Sequence, residues 1–339
     1  MAASILARRN KLNNLSIRHA GEAAARHPAQ ETCAMITIAL PDQQIFDRLA
    51  PQLPDVNVIV WGPADGAPPV HVDLALLGYL GAAGGLRSFE GMDVAALQSQ
   101  SLGFDGIEDR LPAGITYCNA VGVHEASTAE LAVGMIISEQ RGFAEHFANQ
   151  QTGTWNQHEQ AGVAGKTVII LGAGGVGNQI ADKLAPFDAN VVRVARTNRS
   201  DARGAVQSMD ALPALLAKAD IVAIAVPLSD STTGLVNAAF LQAMKPGALL
   251  VNVSRGKIVD TDALVAAASA GHVRAALDVT EPEPLPSDHP LWSTRGVTIT
   301  PHIGGATSAM HPRVDALMRE QARRLVAGEP LAHVVVEGR

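Results

Sequence analysis

The chain holds only two cysteines in 339 residues, Cys33 and Cys118. Two thiols make neither a disulfide framework nor a metal knuckle, and they read as free thiols of a reducing compartment. A cytoplasmic location and no metal are therefore expected. Long apolar runs are also missing. Leu131 to Ile137 falls far short of the roughly 20 residues that cross a bilayer, so no membrane partner is expected. Aromatics are scarce at 4%, and 26 Lys+Arg stand against 33 Asp+Glu, a net charge of -7. Without a basic stripe interleaved with aromatics, nucleic acid is a poor partner. An acidic chain that binds an anion must place its few basic side chains locally.

What is present is a chain long enough for about two domains. Residues 1–34 hold Arg8, Arg9, Lys11, Arg18 and Arg26 against Glu22 and Glu31, with no strand pattern. A basic leader poor in acids resembles an organelle presequence. The alternative is an upstream start, with Met35 as the natural first residue; the clean strand opening at Ile36 favours it. In either case residues 1–34 are expected to stay outside the fold and loosely ordered.

From Met35 onward short apolar runs alternate with helical stretches. Strands are expected at 35–40, 56–61, 72–77, 94–98 and 115–118, with a helix over 41–53 whose Ile45, Leu49 and Leu53 recur every fourth residue. A long helix then covers 125–148, followed by a polar connector that carries Trp155. A second alternation begins at Lys166, with strands at 167–171, 190–195, 221–226, 248–253, 274–277 and 297–300. The pattern specifies an α/β protein of two Rossmann-like domains, each a doubly wound parallel sheet, the second with about six strands. A C-terminal helix over 307–327 is expected to cross back to the first domain. The expected division is 35–121 plus 307–339 for one domain and 122–306 for the other.

The strand at 167–171 runs into Gly172-Ala-Gly174-Gly175-Val176-Gly177 and a helix. In that context the glycines have separate tasks. Gly172 permits the tight turn, Gly174 lets the backbone approach a pyrophosphate, and Gly177 lets helix and strand pack closely. The helix N-terminus adds unpaired N–H groups and about half a positive charge. At the end of the next strand an NAD enzyme usually carries a carboxylate for the ribose hydroxyls. Here stand Ala195, Arg196, Thr197, Asn198 and Arg199. No acid repels a 2′-phosphate, and two guanidiniums are present to hold one. NADP(H) is the expected cofactor, with NAD(H) the alternative.

Three further segments follow strands of the second unit, at the sheet edge where ligands bind in open α/β sheets. They are Asn252-Val-Ser-Arg-Gly-Lys-Ile-Val-Asp260, Leu277-Asp-Val-Thr-Glu-Pro-Glu-Pro-Leu-Pro286 and Pro301-His-Ile-Gly-Gly-Ala-Thr307. With Gln98–Asp105, the Ala129-Glu130 helix start and Pro227–Thr232, these segments, in order, resemble the D-2-hydroxyacid dehydrogenase family from about Leu97 to the C-terminus. The resemblance implies a catalytic set of Arg255, Glu283 and His302. It implies that Leu102-Gly103-Phe104 holds the substrate carboxylate through backbone N–H groups. It also implies cofactor contacts at Thr128, Gly175, Val176, Val253, Asp278, Gly304 and Gly305, with Asp278 bonding the nicotinamide carboxamide. Two departures stand out: Val121-Gly122 replaces the usual Pro-Gly, and His124 stands where Asn is common.

The residue chemistry suits these roles independently. A guanidinium binds a 2-oxo acid's carboxylate and polarises its ketone. An imidazole with an ordinary pKa near 6.5 gives a proton in one direction and takes it in the other. A carboxylate on the ring's second nitrogen fixes the tautomer and stabilises the imidazolium. Taken singly, each residue also suits a bland structural role. The segment 78–86 has no Lys or Arg for a phosphorylated acid, and the C-terminal regulatory extension of many phosphoglycerate dehydrogenases is not in the sequence. A glyoxylate or hydroxypyruvate reductase is the expectation. The alternatives are another 2-hydroxy acid (phosphoglycerate- or lactate-like), a formate or phosphite donor, or a non-enzymatic corepressor-like dinucleotide binder. The resemblance further implies a homodimer through the long helix and the Trp155 connector.

Overall fold

A computed structural model describes residues 35–79 and 85–338. The leader 1–34 and residues 80–84 of the apolar 78–86 segment lie outside the described residues.

The chain divides into two units. One comprises the described residues up to Ser99, then Arg110–Cys118 and the segment from Met318 onward. Its strands are β1 (Thr37–Leu40), β2 (Asn57–Val60), β3 (Leu74–Leu76), β4 (Ala96–Gln98), β5 (Thr116–Cys118) and β14 (Val334–Val336). They lie in the order β14-β5-β4-β3-β1-β2, all parallel except β14 against β5. Helix α1 (Gln43–Leu49) starts at Asp42, whose side chain accepts the Ile45 N–H at 2.8 Å. Such a cap satisfies one of the donors a first turn leaves open. The buried Gln321 side chain donates to Gln98 Oε1 at 2.7 Å and to the Ala332 carbonyl at 3.0 Å, so the C-terminal segment is bonded into this unit.

The other unit comprises Gln100–Asp109 and Asn119–Leu317. The unit boundaries thus fall at 99/100, 109/110, 118/119 and 317/318, where the sequence pattern put them at 121/122 and 306/307. In chain order the elements are α2 (Glu125–Gln140), α3 (Phe143–Gln151), β6 (Thr167–Leu171), α4 (Gly175–Leu184), β7 (Asn190–Ala195), β8 (Arg199–Asp201), β9 (Gly204–Ser208), α5 (Leu212–Leu216) and β10 (Ile221–Ile224). They continue with α6 (Ala238–Ala243), β11 (Ala248–Asn252), α7 (Thr261–Ser269), β12 (Val273–Leu277) and β13 (Val297–Ile299), and helix α8 (Met310–Val326) runs across the 317/318 boundary. The eight strands run β13-β12-β11-β10-β6-β7-β9-β8, parallel but for the β8–β9 hairpin.

Continuous apolar runs in β6, β10 and β11 follow from burial on both faces. Successive side chains alternate between two cores. Val168, Ile170, Ile221, Ala223, Leu249 and Val251 pack with Ala129, Ala132 and Ile136 of α2 and Ile180 and Leu184 of α4. Ile169, Leu171, Val222, Ile224 and Leu250 pack with Phe240 and Leu241 of α6 and Leu264 of α7. Because β6 lies between β10 and β7, strand order reverses at its carboxyl end, and that opens a ligand crevice there. 

Two expectations need correction. The single helix over 125–148 is two helices, because Gly142 takes φ 61° and ψ 36° after Arg141 and α3 restarts from it. Only glycine adopts that left-handed backbone without cost. The sheet of about six strands has eight, because the polar stretch 199–208 forms a hairpin that extends it.

Candidate active site

The glycine loop joins β6 to α4. Gly172 has φ +112°, and a Cβ there would lie 2.4 Å from the Ala225 carbonyl oxygen beyond β10. A Cβ on Gly177 would lie 1.8 Å from the Gly172 carbonyl oxygen. Gly174 differs: a Cβ there meets nothing within 4 Å. Its missing side chain therefore leaves room above the loop, beside the N–H groups that the first turn of α4 leaves without intrahelical partners. A cradle of this kind fits the pyrophosphate of a dinucleotide. A Cβ on Gly175 would stand 2.7 Å from Glu125 Cγ. Glu125 Oε1 accepts the Gly122 N–H at 2.8 Å, while its buried Oε2 has no partner among the described residues. An orphaned acceptor beside the loop fits a ligand that brings hydroxyl donors.

At the end of β7, Arg196, Thr197 and Arg199 are all exposed. The Arg199 guanidinium donates to the Ala173 carbonyl within the glycine loop at 3.1 Å. No acid stands at the strand's end; the nearby Asp201 is turned into an ion pair with the buried Arg193, both Nη atoms at 2.7 Å.

Arg255 follows β11 in a turn that Asn252 organises. The buried Asn252 amide donates to the Arg255 carbonyl at 3.0 Å, and its Oδ1 accepts the Ser254 N–H at 3.0 Å. Glu283 follows β12. A Cβ on Gly256 would lie 1.9 Å from the Thr280 carbonyl oxygen, so the two loops touch through a residue that has no side chain. His302 follows β13, in the left-handed region at φ 52°, which costs of order 1–3 kcal/mol for a non-glycine residue. Asp278 holds that conformation. Its carbonyl accepts the His302 N–H at 2.8 Å. Its buried carboxylate accepts the Thr300 hydroxyl at 2.6 Å and the Ile303 and Gly304 N–H groups at 2.9 Å each. The expected carboxamide bond at Asp278 would be an additional one. Gly304 also lies against Thr128, where a Cβ would be 3.2 Å from Thr128 Cγ2, and the Gly305 carbonyl lies 3.2 Å from His124 Nδ1. Val253 is buried in the core with Val251.

The structure pairs two of the three expected catalytic side chains directly. His302 Nδ1 lies 2.5 Å from Glu283 Oε1. The carboxylate's hydrogen bond raises the imidazole above its usual 6.5; burial and the Arg255 charge oppose the rise, and the charges of Glu283 and Asp278 add to it. The bond from His302 holds Glu283 below its usual 4.5 against partial burial, helped by the His302 and Arg255 charges. Arg255 Nε donates to Asp105 Oδ2 at 2.7 Å and its Nη1 to the Ser254 carbonyl at 2.7 Å. A Cβ on Gly103 would fall 1.5 Å from Arg255 Nη2. The Leu102-Gly103-Phe104 loop therefore packs against the guanidinium, with the Leu102 carbonyl tied to the Asn119 amide at 2.9 Å. All these residues lie in one unit.

Sequence reasoning missed Asp105, Gly256 and the structural part of Asp278. Asp105 stood inside the quoted 98–105 segment, but its partner is 150 residues away. Among the described residues no cluster of three His, Cys, Asp or Glu side chains is placed to hold a metal ion, and no helix is long and apolar enough to cross a membrane.

Comparison with known proteins gives the family. Residues 133–304 match the model of the D-isomer specific 2-hydroxyacid dehydrogenase, NAD binding domain. A glyoxylate reductase of Thermofilum pendens is 37% identical over 70% of this chain and 74% of its own. A D-3-phosphoglycerate dehydrogenase of Mycobacterium leprae is 34% identical over 64% of this chain and 42% of its own. A D-isomer specific 2-hydroxyacid dehydrogenase of Xanthobacter autotrophicus, solved with NADPH and MES, superposes with a TM-score of 0.75 at 28% identity, covering 89% of this chain and 98% of that one. The chain therefore belongs to the D-isomer specific 2-hydroxyacid dehydrogenase family, oxidoreductases that act on CH–OH donors with a nicotinamide cofactor.

Proposed function

We propose that the protein is an NADPH-dependent reductase of a small, unphosphorylated 2-oxo acid, with glyoxylate and hydroxypyruvate as the best substrates. The observation that carries the reading is the His302–Glu283 bond beside a guanidinium held by Asp105. Bound nicotinamide supplies the hydride to the ketone carbon. Arg255 binds the substrate carboxylate and draws electron density toward the ketone oxygen through charge-assisted bonds. Asp105 occupies Nε and the Ser254 carbonyl takes a bond from Nη1, which leaves Nη2 for the substrate, and Gly103 leaves the room that its backbone and Arg255 share. His302 gives its Nε2 proton to the ketone oxygen and recovers it in the reverse direction, while Nδ1 stays bonded to Glu283. Glu283 stabilises the protonated ring.

NADPH preference rests on the exposed Arg196 and Arg199 and on the absence of an acid at the end of β7. Thr197 supplies a further hydroxyl beside them. The Thermofilum relative's name supports the substrate. The same reading places the enzyme in the cytoplasm as a homodimer. Helix α3 has no buried residue, and Phe147 and Trp155 are 61% and 93% exposed, which suits a face covered by a second copy.

The test is a matrix of NADPH and NADH against glyoxylate, hydroxypyruvate, pyruvate and phosphohydroxypyruvate. The highest kcat/KM is expected for NADPH with one of the first two acids. No turnover on either, a higher value for the phosphorylated acid, or a clear NADH preference overturns the corresponding part.

A further inference from the structure

The β8–β9 hairpin has three and five residues and is largely exposed. A two-stranded ribbon this short is marginal by itself. The β7–β9 ladder joins it to the sheet, and its side-chain anchor is Arg193, in the middle of β7 and only 3% exposed. Nη1 donates to Asp201 Oδ2 at 2.7 Å and to Asn178 Oδ1 of α4 at 2.9 Å. Nη2 donates to Asp201 Oδ1 at 2.7 Å and to the Gly204 carbonyl at 3.0 Å. Asp201 Oδ1 also accepts the Arg203 N–H at 2.8 Å. Arg203 in turn forks onto Asp182 of α4 at 2.7 and 2.9 Å. These bonds hold the Asp201 carboxyl down to about 2, so it stays charged throughout the working range.

The register gives this anchor a functional bearing. Arg193 and Arg199 both stand opposite Val206, from the two sides of β9, so all three side chains share one face. On that face Arg199 reaches the glycine loop. Asp201 is the one acid between Ala195 and Ser208, two residues beyond Arg199. Released from Arg193, its carboxylate would become a partner for Arg199 and a like charge for any phosphate there.

We propose that Arg193 is the positioning residue for 2′-phosphate recognition: by taking both oxygens of Asp201 it pins the hairpin and keeps that carboxylate away from Arg196 and Arg199. This rests on the NADPH reading above. Arg193 itself touches no cofactor; it acts through the hairpin.

The experiment measures binding by calorimetry, with NADPH, NADH, adenosine 2′,5′-bisphosphate and AMP as probes. For wild type, the two ligands bearing a 2′-phosphate bind more tightly than their counterparts. Arg193→Met weakens them about tenfold and leaves NADH and AMP within about twofold. Arg193→Met combined with Asp201→Leu recovers part of the lost affinity, because the freed carboxylate is gone. A merely structural anchor predicts no recovery and equal losses for all four ligands, and either result overturns the proposal. Should Arg193→Met not fold, Asp201→Glu serves, since the extra methylene misplaces the carboxylate. It must then weaken the 2′-phosphate ligands selectively, and unchanged or uniformly changed affinities overturn the proposal. If wild type binds NADH more tightly than NADPH, the cofactor reading falls and the inference with it. If wild type prefers NADPH and the variants lose affinity indiscriminately, the inference alone falls.

Discussion

At His302 the imidazole faces Glu283 across 2.5 Å, and the carboxylate raises the ring above 6.5. Reduction needs the protonated ring. Its rate should therefore persist above pH 6.5 and fall as pH climbs through the raised value. Glu283→Gln removes the largest cause of the shift, so the midpoint of kcat/KM for reduction should move to lower pH; an unmoved midpoint contradicts the pairing. The same groups bear on stability. His302, raised, contributes fully below 6.5 and loses its contribution as pH rises through its folded value. Glu283, lowered, contributes fully above 4.5 and loses its contribution as pH falls through its folded value. The pair should thus add most between 4.5 and 6.5, where melting temperatures of wild type and Glu283→Gln should differ most. Arg255, Glu283 and His302 were legible in the sequence because the segments that follow three strands resemble those of the family. Asp105, Gly256 and Arg193 were not. Their meaning lies in contacts between loops or strands that no local pattern links.

At the scale of the element, the glycine loop separates two uses of a missing side chain. A Cβ at Gly177 collides with backbone at 1.8 Å, whereas one at Gly174 enters open space. Gly177→Ala should cost about 1–3 kcal/mol of stability through overpacking. Gly174→Ala should leave the melting temperature of the free protein unchanged and still weaken NADPH binding, since the methyl fills the cradle. Equal melting temperatures for the two variants would refute the distinction. Strands β6 and β7 were read from sequence with their observed ends, because strands buried on both faces are continuous apolar runs. The β8–β9 hairpin escaped the reading because Arg199-Ser-Asp201 and Gly204–Ser208 are mostly polar and exposed, and an ion pair to β7 anchors them. Strand β14 escaped it because three valines beyond the last helix gain meaning only by pairing with β5.

At the scale of the whole molecule, α3 and the connector behind it expose Phe143, Phe147 and Trp155. Sedimentation of wild type should give a dimer, and Phe147→Glu should give a monomer that stays folded; a monomeric wild type removes the proposed assembly. The division of the chain has another consequence. Residues 100–109 belong with 119–317, although Arg110–Cys118, which carries strand β5, sets them apart in the chain. Anyone exchanging parts with a relative inherits that arrangement. A chimaera that imports only 119–317 brings a foreign Arg255 to the native Asp105 and Gly103, whereas one that imports 100–109 as well keeps donor and seat from a single lineage. The second should retain the parent's KM for its oxo acid and the first should raise it. Matching constants in the two hybrids would mean that the seat is interchangeable.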